Sequence, residues 1–594
     1  MAPLAALGPR RPSTEEPILT RTVSNLSNSS EIELSDGPSL ADAFEGGSPR
    51  SSHGATPRFG CSSRQPGIAT IAEGEERPGS TGSATPQRRK RSGAQAGSPG
   101  HGGSQRAKPL SLLPLIALIF YDVSGGPFGI EDAVSKGAPL LALLGFLLLP
   151  LIWSVPEALV TAELATTFPE NSGYVAWVTA AFGPFWGFQK GFYAWVSGVT
   201  DNAVYPVLFL EYLQQIYPVF QSGWPRMVFL IGFNAALTYL NYRGLHVVGD
   251  AAIGMTIFTL LPFVVICLLG LPHIKPANWV KVDWDTVQWL PFLEIMFWNL
   301  NYWDSVSTLA GEVQDPSRTF PRALAGAVVL VVATYLLPLL VGLGVTQDPS
   351  AWELGFFTTL GKQVGGVWLA WWVVAAAAVS QVGQFEAEMS SDSYQLQGMS
   401  ERGFLPSVFN RRSKYGTPTW GILASSIGVA GIVFLDFGQI VELLNSVYCL
   451  GQLLEFVAFI WLRIRYPALH RPYRIPLPTW GCIAMLTPAC LLLVGLLIVP
   501  WATGEVPVIL FTFGTMALGA LLYPAIQTAR RRRWIAFEGT SVTEFKEMLY
   551  TLYVPSDEET PASLVEDDGA KERQGLLAAD GSLAAPYVSH TSAR

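Results

Sequence analysis

The chain has 594 residues, of which 49% are hydrophobic and only 14% charged, with mean hydropathy +0.32 and formal net charge −8. Soluble domains carry about a quarter charged residues; here the deficit is concentrated between about residues 110 and 528, which excludes an ordinary soluble domain and indicates a polytopic membrane protein. Five scattered cysteines (Cys61, Cys267, Cys449, Cys482, Cys490) exclude a disulfide framework, and the absence of zinc-ligand spacing, a phosphate loop or a nucleophile–base set argues against metal or enzymatic chemistry.

Residues 1–108 are rich in Ser, Gly, Pro and Arg and poor in aromatics. Such a segment buries too little apolar area to offset its ordering entropy and is expected to be a disordered cytoplasmic tail. No compact apolar stretch follows a basic start, so no cleaved secretory signal is expected. Glu15, Glu16, Glu31, Glu33 and Asp36 argue against a transit peptide. Ser48–Pro49 and Ser98–Pro99 read either as phosphorylation sites or as plain disordered composition.

A membrane-crossing helix needs roughly 20 mostly apolar residues. Counted that way, the domain from 109 to 528 holds spans near 109–136, 138–166, 177–214, 225–241, 247–271 and 289–312. Six more follow near 322–346, 364–399, 418–435, 439–464, 480–501 and 505–528, giving twelve. The third and eighth exceed one span and are expected to tilt or project into water. Basic residues cluster before the first span, after the last (Arg530–Arg533), and in alternate loops at Arg243, Arg318, Arg322, Arg402, Arg411, Arg412, Lys414, Arg463, Arg465, Arg471 and Arg474. A count of twelve places all of these on one side, which predicts cytoplasmic termini. The segment 529–594 is expected to be a mostly disordered tail. Its Glu572 with Leu576 and Leu577 resembles an acidic dileucine sorting signal, a pattern that also arises by chance. The plasma membrane is the default address, with an endomembrane as the alternative.

Two spans are broken. DVSGGPFG (Asp122–Gly129) interrupts the first with Gly125, Gly126 and Pro127, and NLNYWDS (Asn299–Ser305) interrupts the sixth. Backbone groups freed at membrane depth survive only inside protein or beside a water-filled cavity. Paired interruptions in matching positions of two halves point to a transporter's binding site. The predicted fold is therefore an all-α polytopic membrane protein with a LeuT-type 5+5 inverted repeat, twelve transmembrane helices, broken helices 1 and 6, and two extra helices.

Ionisable groups within spans are expensive and face a cavity or a partner. Here they are mainly acidic: Asp122, Glu131, Asp132, Glu157, Glu163, Asp201, Glu211, Asp304, Glu386, Glu388, Asp392, Glu442 and Glu455, with Lys190 the main basic exception. Carboxylates without enough internal cations need protons, metal ions or a cationic substrate. On the eighth span Glu386, Ser390 and Tyr394 share one helical face and Glu388 and Asp392 another; the first is preferred for the cavity because it carries hydroxyls, and the second remains open. Trp298, Tyr302 and Trp303 at the second break, with Tyr121 and Phe128 at the first, offer ring faces to ammonium groups, although packing is the commoner role of any single aromatic. Asn299 and Asn301 either ligate an ammonium or cap the half-helices. Pro127 removes a backbone donor where carriers of this architecture hold a substrate carboxylate, which weakens the case for an amino-acid substrate.

The strings YDVSGGPFGIEDAV, WSVPEALVTAELATTFPENSGYVAWV, FWNLNYWDSVSTLAGEVQDPSRTFPRAL and AEMSSDSYQLQGMSERGFLPSVF resemble the plant polyamine uptake transporters of the amino acid–polyamine–organocation superfamily, over roughly residues 108–540. The resemblance implies a proton-coupled polyamine symporter for putrescine, spermidine or spermine, extending to the dication paraquat, with the proton as coupling ion and no other cofactor. Some superfamily members place a lysine in span 5, whereas span 5 here has only Asp250 as a charged group. The expected substrate residues are Asp201, Glu386, Trp298, Asn301, Tyr302, Trp303, Gly125, Gly126, Tyr121, Phe128 and Tyr394. The expected proton-coupling residues are Glu163, Glu157 and Asp201. The alternative is a cationic or neutral amino-acid exchanger of the same superfamily, and a non-transporting sensor is a third reading. Lipid and polyamine are the expected partners, nucleic acid is not, and the sequence leaves the oligomeric state open.

Overall fold

A computed structural model describes residues 110–214, 217–244, 250–346, 348 and 351–538. The Ser-Pro sites, Cys61, the dileucine pattern and nearly all of both tails lie outside these residues. Among the described residues there are helices and two isolated bridges, Leu110 with Val313 and Arg412 with Pro418, and no strand.

The first interrupted span is α1 (Leu112–Val123) followed, after the break, by the start of α2 (Glu131–Ile152). Within α2 the backbone turns at Ala138 (φ +68), directly before Pro139, so the element is two helices joined at a corner. A positive φ at alanine is strained, and Pro139 disfavours the α conformation for the residue before it. The expected boundary between the first two spans falls at this corner. The second part of α2 continues through Trp153 into α3 (Ser154–Thr167).

Of the two long spans, the third departs from expectation and the eighth, expected near 364–399, is one long helix. The third divides into α4 (Gly173–Phe182) and α5 (Pro184–Gln214) at Gly183, and the eighth is α11 (Val367–Glu401), preceded by a separate short helix α10 (Phe356–Gly365) and Gly366. Both glycines have φ +88, a region that side-chain-bearing residues rarely enter. The apolar run expected over 177–214 crosses Gly183, because a single glycine changes direction while contributing little to mean hydropathy.

The remaining helices are α6 (Gly223–Tyr242), α7 (Asp250–Gly270), α8 (Trp289–Trp298), α9 (Pro316–Val345), α12 (Thr419–Ile432), α13 (Phe437–Arg465), α14 (Thr479–Thr503) and α15 (Val506–Arg531). After α8 the second break leads into a 3-10 segment, Ser305–Glu312, rather than a regular helix. Proline opens α5 and α9, where its missing N–H costs nothing. A reciprocal capping box between Asp436 and Gln439 starts α13. Among the described residues, seven helical stretches are long and apolar enough to cross a membrane, and α1, α4, α8 and α12 are shorter apolar helices.

Burial is inverted relative to a soluble protein. Glu157, Glu163, Asp201, Asn301 and Glu455 are buried, while Leu268, Val329, Ile427, Leu491, Leu510 and Leu521 are exposed. That arrangement suits a lipid solvent around a polar interior. The most hydropathic stretch of α13 is 72% buried against 28% for α14 and 22% for α15, so α13 lies in the core and the last two helices flank it. In that core α5 packs on α13 and α11. Beyond α15, Ala536 accepts from the Ser407 amide (2.9 Å) and Arg530 Nη1 donates to the Gly403 carbonyl (3.3 Å), fastening the first residues of the C-terminal segment to the loop after α11.

Candidate functional site

The two breaks face one enclosed cavity. It is lined by Asp122, Val123 and Ser124 from the first break, Trp298, Asn299, Asn301 and Tyr302 from the second, Asp201 and Tyr205 of α5, Tyr335 of α9 and Gln384 of α11. All eleven are buried. Water centres have about 10 Å³ in which to move, which is room for about one water.

Neighbouring side chains satisfy the backbone freed by the breaks, as a membrane interior requires. Ser380 Oγ donates to the Gly125 carbonyl (2.6 Å) and Tyr335 Oη to the Asn299 carbonyl (2.9 Å). Ser154 Oγ (3.1 Å) and Trp303 Nε1 (2.8 Å) both donate to the Leu300 carbonyl. Four amides of the first break are also taken. Those of Ser124 and Gly125 donate to the Phe120 carbonyl, that of Gly126 to Ser124 Oγ, and that of Gly129 to Glu131 Oε2. At the second break the Tyr302 amide donates to Tyr448 Oη (3.0 Å) and the Trp303 amide to Glu157 Oε1 (3.0 Å). Tyr302 holds φ +66, a strained conformation of the kind found at ligand clamps.

The cavity is acidic and aromatic. Asp201 accepts hydrogen bonds from Trp298 Nε1 (2.8 Å) and from Tyr205 Oη, one helical turn along α5. Neither Asp201 nor Asp122 has an ion pair among the described residues, and both Asp122 oxygens, like Asn301 Oδ1, lack a hydrogen-bond partner there. Tyr302 Oη shares a hydrogen bond with Ser197 Oγ (2.6 Å). Two buried carboxylates, an amide oxygen without a partner among the described residues and four aromatic rings make a lining chemically suited to a cation.

Of the residues expected at the substrate, the structure brings Asp201, Trp298, Asn301 and Tyr302 to this cavity. Glu386 lies elsewhere, beside Asn241 of α6, whose amide donates to the Glu386 carbonyl and to Ser390 Oγ (3.1 Å each). Tyr394 lies further along α11 under the Arg412 guanidinium (5.3 Å). On α11 the Glu388–Asp392 face meets α5: a Cβ on Gly198 would lie 2.2 Å from Asp392 Oδ1 and 2.5 Å from Glu388 Oε1. Phe128 packs edge-on against Tyr212 and Phe263, and Tyr121 packs against Gly383, so neither ring lines the cavity. Gly125 and Gly126 supply φ values of +59 and +125 for the break and stand behind Ser124. Trp303 acts through its backbone and a local bond. Asp122, Ser124, Tyr205, Tyr335 and Gln384 line the cavity without having been selected as ligands. Of these, Asp122 had a signal as an intramembrane acid at the first break, and Tyr205 had one in lying four residues after Asp201 on one helix.

The expected proton carriers separate. Glu163 accepts from Arg463 Nε (2.9 Å) and Nη2 and from the Ile475 amide (2.8 Å), with Arg471 Nε 3.1 Å away. Two guanidiniums make it a tie between α3, α13 and the loop after α13. At the other end Glu131 accepts from Tyr212 Oη, Gly129 N (2.8 Å) and Gly355 N (3.3 Å). Glu157 belongs to a third cluster beside the second break. Lys190 Nζ donates there to Asp304 Oδ2 (2.9 Å) and Gln452 Oε1 (2.9 Å), pairs with Glu455 Oε2 (3.1 Å), and lies 4.5 Å from the centre of the Tyr174 ring.

Residues 110–521 match the amino acid permease family. A protein of Arabidopsis thaliana named as a probable polyamine transporter is 53% identical over 440 residues, covering 73% of this chain and 91% of its own length. The rice (Oryza sativa subsp. japonica) protein named polyamine transporter PUT1 is 54% identical over 432 residues, covering 73% of this chain and 81% of its own. More distantly, an arginine/ornithine antiporter of Latilactobacillus sakei is 26% identical over 344 residues, covering 54% and 70%.

Proposed function

We propose that this chain, which belongs to the amino acid permease family, is a proton-coupled polyamine symporter working by alternating access. The observation that carries the reading is the enclosed cavity in which Asp122 and Asp201 meet Trp298, Tyr302 and Tyr205 with, among the described residues, no cation paired to either carboxylate. A protonated alkylamine supplies the missing charge, and its methylenes suit the ring faces. Relatives at about 50% identity named as polyamine transporters support the same substrate class.

The helix order supports two inverted halves of five spans with two added helices. In the first half a broken span is followed by α4, Gly183 and α5; in the second a broken span is followed by α10, Gly366 and α11. The cavity has room for about one water, whereas ligand sites span about 300–1,000 Å³. Substrate therefore enters only when one end opens. The ties at Glu131 and at Glu163 stand at opposite ends of the bundle and are the contacts that opening must release. The basic loops assign the Glu163 end to the cytoplasm, and the plasma membrane is the proposed address.

The distant antiporter relative favours a second reading, amino-acid exchange. It requires free amides at the first break for the substrate carboxylate, and those of Ser124, Gly125, Gly126 and Gly129 are already engaged. Radiolabelled spermidine uptake into proteoliposomes, with and without an inward proton gradient and with excess arginine, separates the two. Gradient-stimulated uptake that resists arginine is expected; uptake blocked by arginine and indifferent to the gradient overturns the symporter.

A further inference from the structure

We infer that Glu157 is the proton carrier of this transporter, held next to a fixed internal cation, Lys190, and wired to the substrate cavity through the backbone of the second break. The inference rests on the proton-coupled reading above and locates the proton within it.

Lys190, Asp304, Glu455 and Glu157 come from α5, the second break, α13 and α3, and all are buried. One ammonium faces three carboxylates. An interior that excludes water does not hold two uncompensated negative charges, so protons must make up the difference. The hydrogen bonds indicate where. The Lys190 ammonium is occupied by Asp304, Gln452 and Glu455, with the Tyr174 ring alongside. Gln452 is fixed in orientation because its oxygen accepts from Lys190 while its nitrogen donates to Glu157 Oε1 (3.1 Å). That same oxygen accepts from Tyr448 Oη (2.5 Å) and from the Trp303 amide (3.0 Å). Three donors on Oε1 leave it no place for a proton. Glu157 Oε2 and both oxygens of Glu455 are buried with no hydrogen-bond partner among the described residues, so both acids can carry one of the two protons. Glu455 keeps its place against the Lys190 ammonium (3.1 Å), whereas Glu157 has no ion pair among the described residues and contacts the second break, which makes Glu157 Oε2 the site of the proton that moves.

The same bonds connect the carboxyl to the substrate. Tyr448 Oη takes the Tyr302 amide as it donates to Glu157, and the next amide, that of Trp303, donates to Glu157 directly. Tyr302 lines the cavity, and Asp304 two residues on holds Lys190. Neutral Glu157 is a weaker acceptor than the carboxylate, so gain or loss of its proton changes the grip on the strained segment from Tyr302 to Asp304. The remaining charged groups close by are Glu388 and Asp392 of α11, which face α5 at Gly198, two turns from Lys190. The transfer is a simple one: Oε2 takes a proton from the aqueous phase at one face and returns it at the other, with no bond broken in the substrate.

The test is Glu157→Gln in the full chain, reconstituted in proteoliposomes. Glutamine retains an oxygen for the three donors and imitates the protonated acid permanently. A gradient of one pH unit drives about tenfold accumulation per coupled proton. Wild type is expected to show spermidine exchange and gradient-stimulated accumulation. E157Q is expected to lose the gradient stimulation and the pH dependence of whatever exchange it keeps. Wild-type stimulation in E157Q overturns the assignment and leaves proton coupling standing, whereas a wild type without stimulation overturns the coupled reading and this inference together. Should E157Q prove inactive, Glu157→Asp decides: coupling restored with a displaced pH profile supports the assignment, and a coupled variant with an undisplaced profile, or an inactive one, overturns it.

Discussion

Trp298 Nε1 donates to Asp201 Oδ1 at 2.8 Å, joining the last residue of α8 to the middle of α5. The bond brings the second break's aromatic end onto the carboxylate that the proposed substrate would meet, while Tyr205 holds the other oxygen. Asp201 is thus oriented before any ammonium arrives, which lowers the ordering cost of binding.

Replacing Asp201 by Asn removes the charge and keeps an acceptor for one donor. Hydrogen bonds to charged groups contribute about 1.5–3 kcal/mol, so D201N should weaken spermidine transport at least tenfold with surface expression retained. Uptake kinetics beside surface biotinylation measure both. Uptake at the wild-type level would remove Asp201 from the binding site.

With four amides of the first break engaged by Phe120, Ser124 and Glu131, a substrate carboxylate finds few donors there and meets two aspartates. Agmatine is arginine without its carboxyl group. Agmatine should compete with spermidine at least tenfold better than arginine does, as read by inhibition of uptake. Equal inhibition by the two would contradict the proposed selectivity.

Glu163 holds Arg463, Arg471 and the Ile475 amide at the basic end. Removing one partner of a buried ion pair costs about 3–5 kcal/mol because the other charges are left uncompensated. Glu163→Gln should therefore lower the melting temperature of the purified protein measurably, and any residual transport should keep its proton coupling. A stable E163Q without coupling would return Glu163 to the proton pathway.

Gly198 lets α5 and α11 approach closely. A methyl group there would lie 2.2 Å from Asp392 Oδ1, closer than any real contact, so Gly198→Ala must displace the carboxylates or the helices. Overpacking of a buried interface costs about 1–3 kcal/mol. The expected result is folded protein with transport reduced severalfold; normal kinetics would show that the α5–α11 seam is not strained by transport.

Much was legible in the chain alone. Hydropathy located the helical segments to within a few residues, from the α6 region at 225–241 to the last at 505–528, because lipid demands long apolar runs whatever the neighbours are. The glycines of Asp122–Gly129 and the polar run Asn299–Ser305 marked both breaks, since only interrupted backbone tolerates such residues at that depth. Asp201, Trp298, Asn301 and Tyr302 followed from their places near or opposite these breaks.

What the sequence did not decide was which buried charge faces which partner. Glu386 and Glu388 are two residues apart in one polar stretch of α11; only the packing of α6 on one face and α5 on the other separates them. Glu163 and Glu157 both read as proton-coupling carboxylates on one helix, yet two arginines about 300 residues away hold the first, while Gln452 links the second to Lys190. Periodicity fixes the face of a helix that a residue occupies, and it carries no information on what tertiary packing brings opposite. Composition therefore settled the solvent and the helices, and the closing of α3, α5, α11 and α13 around the two breaks decided the chemistry.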